Sequence, residues 1–452
     1  MLVCGIDIGT TNLKVSMVDQ SGRSIWTRAI ATPRGSAAGA ATDPKAILSA
    51  IEDLVIQGWT AVGQGRPLTA ISATGVGEDG IFVDDRLMPL APAIPWFDRR
   101  AVEQAALIRS SAVATTCAGV EMDHTRTGAK WLWLRQNEPQ LYSQARCWLA
   151  LTDYPSAVWT GRPFMSETLA SRTGCYDVAK RAWLGELLEF CGAPELPSIL
   201  RAGEIVGAII GGPLLESGAA TRQTMVVAGG HDHPVAASVI QSVDPLARVD
   251  SIGTANVVYG ETLLAPLDHF DPFLSFMVPV RASIGVACLG VFEFTSAVQT
   301  LQADGVDIRA FLKLARMPGK PSAAKHLLNT PEPTRNLRSV LEGASLTARQ
   351  MFDHMRAVGV KDGPIYATGG WSRSRSLLEL RASIYGQPIN VLSEEEPAVV
   401  GAALLAAAGI GNTIDISGSM TTETIEPDAE WAAFYEAHYR KHFEKRDAFD
   451  RV

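Results

Sequence analysis

The chain of 452 residues is too long for one ordinary core, and 47% hydrophobic against 19% charged residues argues for packed globular domains and against disorder. A formal net charge of −8, with no dense Lys/Arg stripe, removes the electrostatic case for binding nucleic acid. Six scattered cysteines without a C-x-x-C read as reduced and mostly buried. Asp7 interrupts any signal-like run and no stretch reaches the roughly 18 apolar residues of a membrane span, so a cytoplasmic protein without membrane partners is expected.

In chain order, residues 2–8, 13–19 and 24–31 read as three successive strands with Ser21-Gly22 turning between the last two. A helix follows from about Pro44, capped by Asp43, with Ile47, Leu48, Ile51, Leu54 and Val55 on one face. A strand at 69–74 leads into the loop Gly75-Val76-Gly77-Glu78-Asp79-Gly80 and a short strand at 81–83. Between residues 100 and 200 helical segments alternate with loops, among them a tryptophan-rich helix at 128–138 and another at 179–191. A strand at 225–228 runs into Gly229-Gly230-His231-Asp232-His233, and a small-residue helix begins at Pro234.

Near Asp244-Pro245 the opening pattern restarts: strand 248–252, turn Gly253-Thr254, strand 256–261. This echo of strand, Gly/Thr turn, strand points to a duplicated domain. The last third adds a helix at 340–357, a strand at 364–367, the turn Thr368-Gly369-Gly370-Trp371-Ser372 and a helix at 375–385. A strand at 389–392 and an acidic loop then feed an alanine-rich helix from Ala398, too short to span a membrane and of packed-helix character. A terminal helix at 431–449 places Phe434, Tyr435 and Tyr439 on one face.

Three junctions join glycine to small hydroxyl residues: Gly9-Thr10-Thr11, Gly253-Thr254 and Gly369-Gly370. Glycine admits close backbone approach, and consecutive amides in a tight turn make an anion-binding concavity, to which Lys14 adds charge. Each alone is also readable as a plain tight turn. Asp7, in the middle of an apolar strand, is costly to bury unless paired, hydrogen-bonded or beside a cation, the other reading being a local cap for the turn at Gly9. Asp232 sits at a strand end, where open α/β sheets place ligand chemistry, and a cap for the helix at Pro234 is compatible with that role.

His231 and His233 flank Asp232, but strand alternation sends both histidines to one face and the acid to the other, which disfavours a three-ligand metal centre. Glu78-Asp79 and the run Ile94-Pro95-Trp96-Phe97-Asp98-Arg99-Arg100 supply acids, guanidiniums and an indole, a mixture suited to a polyhydroxylated ligand or, on the plainer reading, a surface loop.

At these junctions the sequence resembles the FGGY family of carbohydrate kinases. Asp7-Ile8-Gly9-Thr10-Thr11 is similar to the family's first phosphate motif and Ser251-Ile252-Gly253-Thr254-Ala255 to its second. Ala367-Thr368-Gly369-Gly370-Trp371-Ser372 resembles the adenosine motif, and Gly229-Gly230-His231-Asp232 the segment of the catalytic base. Thr125 to Asn137 resembles a signature built on a Lys-x-x-Trp core, although Thr125 departs from its first position; Pro234 also differs from xylulokinase and glycerol kinase forms.

The resemblance implies an α/β chain of two actin-like ATPase (ribonuclease H-like) domains with a cleft between them, residues 1–242 carrying sugar and base and 243–452 the nucleotide. It implies ATP with Mg2+, Asp232 as base, Asp7 toward the metal, and Gly9, Thr10, Thr11, Lys14, Gly253 and Thr254 on the phosphates. Gly369, Gly370 and Ser372 fall to adenosine. Glu78, Asp79, Trp96, Asp153, His231 and His233, with Asp98, are candidate sugar contacts. The expected activity is ATP-dependent phosphorylation of a small carbohydrate, a ketose such as xylulose first, a polyol or sugar acid next. Rivals of other classes are a non-catalytic sugar or nucleotide sensor and an actin-like ATPase acting on protein partners. A homodimer is one expectation for the assembly.

Overall fold

The computed structural model describes residues 1–34, 42–253, 255–263, 270–294, 298–299, 302, 305, 307–314, 316–317, 320–321, 337–392, 396–416 and 422–442. The first half runs β1 (Leu2–Ile8), β2 (Asn12–Asp19), β3 (Ser24–Ala31), α1 (Pro44–Val62), β4 (Ala70–Gly75), β5 (Gly80–Val83), α2 (Thr127–Asn137), β6 (Cys147–Ala150), β7 (Ile205–Ala208), β8 (Met225–His231) and α3 (Asp232–Val243). The second runs β9 (Arg248–Ile252), β10 (Ala255–Thr262), β11 (Ser275–Met277), β12 (Val286–Glu293), α4 (Leu337–Ala357), β13 (Ile365–Thr368), α5 (Arg375–Tyr385), β14 (Ile389–Leu392), α6 (Pro397–Gly409), β15 (Thr422–Ile425) and α7 (Ala429–His442).

The echo in the sequence is an echo in topology. Among the described residues the first sheet is ordered β7-β8-β4-β1-β2-β3 and the second β11-β12-β10-β9-β13-β14-β15. In each, a hairpin opens the sheet, its first strand pairs in parallel with the strand that follows, and an antiparallel strand closes that edge. Asp43 caps α1 by accepting from the Lys45 amide, and Ile47, Ile51, Leu54 and Val55 are buried against the first sheet, as their spacing predicts.

The halves exchange helices. Ala403, Ala406 and Ala407 of α6, from the second half, lie in one cluster with Val3, Val18, Ala70 and Val227 of the first sheet. Ala237, Val239 and Ile240 of α3, from the first half, cluster with Val249, Val257 and Tyr259 of the second. Small residues let the backbones approach: a Cβ on Gly5 would stand 1.9 Å from the Val399 carbonyl oxygen. This close seam carries the alanine-rich segment.

Several elements depart from the sequence expectations. Residues 179–191 do not form one helix; Tyr176–Asp177 pairs with Ala182–Trp183, Asp177 accepts from the Ala179 and Lys180 amides, and the helix starts at Gly185. On α7, Trp431, Tyr435 and Tyr439 are buried while Phe434 is exposed, because inward positions recur at i and i+4 and 434 falls beside that stripe; residues 443–449 lie outside the described part. Helix α3 begins at Asp232, two residues before Pro234, and β8 extends to His231.

Candidate active site

The turn between β1 and β2 is held by the Gly9 amide donating to the Asn12 carbonyl and by the Thr32 hydroxyl donating to the Gly9 carbonyl. It stands between two cavities. One of about 790 Å³ is walled by Asn12 and Lys14 from β2, by Gly253, and by the loop Gly369–Arg373. One of about 500 Å³ is walled by Thr10, Glu78, Trp96, Arg126, Arg172 and His231–His233 of the first half, and by 270–275 with Leu289 and Val291 of the second.

In the larger cavity Gly369 has φ +85, and a Cβ there would meet the Ile252 carbonyl oxygen at 2.7 Å, so the loop after β13 lies directly on the end of β9. Ser372 closes the loop by donating from its amide and hydroxyl to the Gly369 carbonyl. Trp371 packs edge-on against Phe294. Lys14 forms an ion pair with Glu396, the residue preceding α6, so this cation bridges the two halves. Gly253 faces this cavity; Thr254 lies outside the described residues.

Asp7 pairs in register with Lys14 across the hairpin and alternates with Val3 and Gly5 toward α6. It is buried and its Oδ1 has no partner among the described residues. Burial, then the charges of Asp232 and Glu396, push its carboxyl up to about 7 against the pull of Lys14.

Asp232 opens α3. Its Oδ1 accepts from the His233 amide at 2.7 Å, and both imidazoles approach that oxygen, His231 Nε2 at 3.4 Å and His233 Nε2 at 3.8 Å. Strand alternation predicts otherwise, but the chain turns from strand to helix between 231 and 232 and brings all three side chains to one place. Burial drives His231 down to about 4, against the pull of Asp232, so the ring beside that carboxylate is neutral.

Glu78 is the electrostatic centre of the smaller cavity. Its Oε1 accepts from Arg126 Nη1 at 2.8 Å and from Arg172 Nε and Nη2 at 2.8 and 2.6 Å. Burial opposes ionisation, yet Arg172 and Arg126 outweigh it and hold the carboxyl down at about 2. Arg172 also reaches across to Ser275 Oγ at 3.5 Å. Lys130, of the Lys-x-x-Trp signature, is buried and donates to the carbonyls of Glu78 and Ile94, tying two wall segments together. Trp96 donates from its indole to the Thr10 hydroxyl at 3.0 Å.

Two of the expected sugar contacts make hydrogen bonds within the walls. Asp79 accepts from the Trp96 amide at 2.6 Å, and Asp153 accepts from the Ser166 amide and hydroxyl at 2.7 and 2.6 Å; neither lines the cavity. Gly9 and Thr11 shape the turn without lining either cavity, whereas Glu78, Trp96, His231, Asp232 and His233 meet on one wall. Sequence reasoning missed Arg126, Arg172 and Glu396 as site residues. Arg126 lay inside the signature from Thr125; Arg172 is 94 positions from its partner Glu78 and left no local signal.

Residues 2–238 match the model of the N-terminal domain of the FGGY family of carbohydrate kinases, and residues 282–410 match that of its C-terminal domain. The chain belongs to the FGGY family. It is an ATP-dependent carbohydrate kinase of two α/β domains of the actin-like class with a cleft between them. This FGGY kinase is 26% identical over 486 residues to the xylulose kinase of Escherichia coli K12, covering 99% of the chain and 98% of the relative, and 25% identical over 444 residues to that of Lactococcus lactis, covering 90% and 88%. In fold it is similar to a xylulose kinase from Rhodospirillum rubrum (TM-score 0.86, 22% identity, 100% and 99% covered). A gluconate kinase from Lactobacillus acidophilus is comparably similar (TM-score 0.83, 21% identity, 99% and 98% covered). Among the described residues no helix of the kinase is long and apolar enough to cross a membrane.

Proposed function

We propose that the kinase transfers the γ-phosphoryl group of ATP to a hydroxyl of a ketose such as xylulose, with Asp232 as general base. The observation that carries this reading is the position of Asp232. It stands on the wall of the smaller cavity with Thr10, whose near neighbours Asn12 and Lys14 face the larger one. In the reaction the sugar hydroxyl proton passes to the Asp232 carboxylate while its oxygen bonds to the γ-phosphorus. The bond from that phosphorus to the bridging oxygen breaks and its electron pair leaves on ADP. Catalysis here is mainly positioning and electrostatics. The His233 amide fixes the carboxylate by a hydrogen bond to its Oδ1, with the neutral His231 ring 3.4 Å away. The hairpin tips that carry Thr10 and Gly253 stand at the cavity walls where the phosphates would pass, with Lys14 adding a positive charge. The loop of Gly369, Gly370 and Ser372 receives adenosine.

The donor set at Asp7 fits Mg2+: one buried carboxylate oxygen without a partner among the described residues. A hard cation that keeps most of its waters and leans on phosphate asks for so sparse a site. Asp7 would hold it, and when bound it supplies charge neutralisation to the phosphates.

On the sugar side, the cavity wall sets five carboxylates (Glu78, Glu121, Asp123, Asp232, Asp271) against two guanidiniums (Arg126, Arg172). Acids accept from hydroxyls, and the guanidiniums have donors for a carbonyl oxygen, which favours a ketose. A neutral polyol is the second reading, supported by the permanently ionised Glu78. A sugar acid would add a further negative charge to this wall and is disfavoured. We assign Asp79 and Asp153 to holding the walls rather than touching sugar.

The test is ADP release from Mg-ATP across ketoses, polyols and sugar acids, with Asp232→Asn as control. General-base assistance is worth about 10²–10⁴-fold. The expected outcome is a ketose-dependent activity that falls by about that factor in the variant while ATP binding persists. A loss under about tenfold in a folded variant removes Asp232 from the role, and turnover with sugar acids alone overturns the substrate reading.

A further inference from the structure

The two hairpins match in their turns but not in their acids. Asp7 stands two residues before Gly9, and Ser251 occupies the matching place before Gly253. The acid of the second hairpin, Asp250, is one residue earlier. Alternation therefore sends it to the opposite face, away from α3 and into the core beneath α5.

There it meets a full guanidinium. Arg381 Nη1 donates to Asp250 Oδ1 and Oδ2 at 2.7 and 2.5 Å, and its Nη2 donates to the Asn256 carbonyl oxygen at 2.5 Å. The Asn256 amide donates to Asp250 Oδ1 at 2.9 Å, and the Tyr385 hydroxyl to Oδ2 at 2.7 Å. Asp250, Asn256 and Arg381 are all fully buried. An apolar core of the same volume would hold these strands as well or better, so stability alone does not account for an ion pair here.

The partners are placed with purpose. Asp250 and Asn256 sit on the two strands of the hairpin whose tip, Gly253, faces the nucleotide cavity. Arg381 is on α5, whose first turn supplies Arg375 and Leu378 to the same cavity. Its guanidinium also lies 5.9 Å over Phe294, which packs on Trp371 of the adenosine-side loop. One cation thus touches the phosphate hairpin and, through one ring, the opposite wall.

We infer that Arg381 is a positioning residue for nucleotide binding: with Asp250, Asn256 and Tyr385 it locks the Gly253 hairpin in register with the Gly369–Arg373 loop, so that phosphate and adenosine are gripped together. The role does not touch the reacting atoms and is independent of which sugar is phosphorylated. It rests on fork geometry that a point charge or an apolar pair cannot reproduce.

The experiment is calorimetric titration of Mg-ADP and of adenosine into the full chain, alongside thermal melting. Tyr385→Phe and Asn256→Ala each keep the ion pair and remove hydrogen bonds to it. Arg381→Lys keeps the charge and loses the fork. The double variant Asp250→Leu with Arg381→Met replaces the pair by an apolar contact. Arg381→Lys and the double variant should weaken Mg-ADP by about tenfold and adenosine by much less. Tyr385→Phe and Asn256→Ala should weaken Mg-ADP by about two- to fivefold. The double variant should regain the melting temperature that Arg381→Lys loses without regaining ADP affinity. A double variant that melts like the parent and binds ADP like the parent overturns the inference. So do Tyr385→Phe and Asn256→Ala variants with parental ADP affinity, whatever becomes of the others.

Discussion

Replacing Arg172 by Leu tests the electrostatic construction of the smaller cavity, and its proposed use for the sugar, most directly. Arg172 gives Glu78 two of the three hydrogen bonds that reach its Oε1, and both side chains are almost wholly buried. The carboxyl is held at about 2 against an ordinary 4.5. At about 1.36 kcal/mol for each pH unit, that difference is roughly 3 kcal/mol of folding stability at neutral pH, in line with the roughly 3–5 kcal/mol that breaking a buried pair costs. Because the folded value is depressed, this stability is complete above pH 4.5 and is lost as the pH falls toward 2.

Arg172→Leu should therefore lose about 2–4 kcal/mol in urea denaturation at pH 7, and the gap to the parent should narrow below pH 4.5. The sugar KM should rise by at least tenfold, since Glu78 loses its orientation and its wall loses the reach to Ser275, while the ATP KM stays within about twofold. Arg172→Lys should recover part of the stability but little of the sugar KM. A variant that loses less than about 0.5 kcal/mol and keeps its sugar KM refutes the reasoning.

Lys14→Met removes one cation from the wall of the larger cavity, which Arg373 and Arg375 also line; on the proposed assignment of that cavity to the nucleotide, the ATP KM should rise about tenfold with the sugar KM unchanged, and steady-state kinetics with each substrate varied checks it. His231 is held neutral down to about pH 4, so the unfolded chain binds a proton there first and stability drops as pH falls from 6.5 to 4. His231→Gln should flatten that limb of the stability profile; an unchanged profile rules the histidine out as its source. Gly5→Ala drives a methyl into the Val399 carbonyl and should cost about 1–3 kcal/mol, read by denaturation; a variant as stable as the parent refutes the close approach as a constraint.

Much of the architecture was legible in local pattern. Strands β1 to β3, the cap of α1, the restart after Asp244-Pro245 and the loop at Gly369 all announce themselves within a few residues, because turn chemistry and side-chain periodicity are short-range. The small hairpin at 176–183 was not legible, since its two-residue strands are too short to show a period and depend on Asp177 capping and on Tyr176 against Trp183. Strand β7 was equally silent, as an edge strand made only by pairing with β8.

For the site the division is sharper. By itself the chain determined its family and singled out the Gly/Thr motifs, Asp7 and Asp232 as candidates, because such motifs need particular residues at fixed short spacings. Only the tertiary structure decided that Glu78 is clamped by arginines, that Asp79 and Asp153 make hydrogen bonds within the walls, that Lys14 reaches Glu396 in the other half, and that Asp250 turns away from the cleft to meet Arg381. Those pairings join residues from 13 to 382 positions apart. Whether a buried charge serves catalysis or structure depends on which partner the fold brings within hydrogen-bonding reach, and nearest neighbours in sequence carry no record of that.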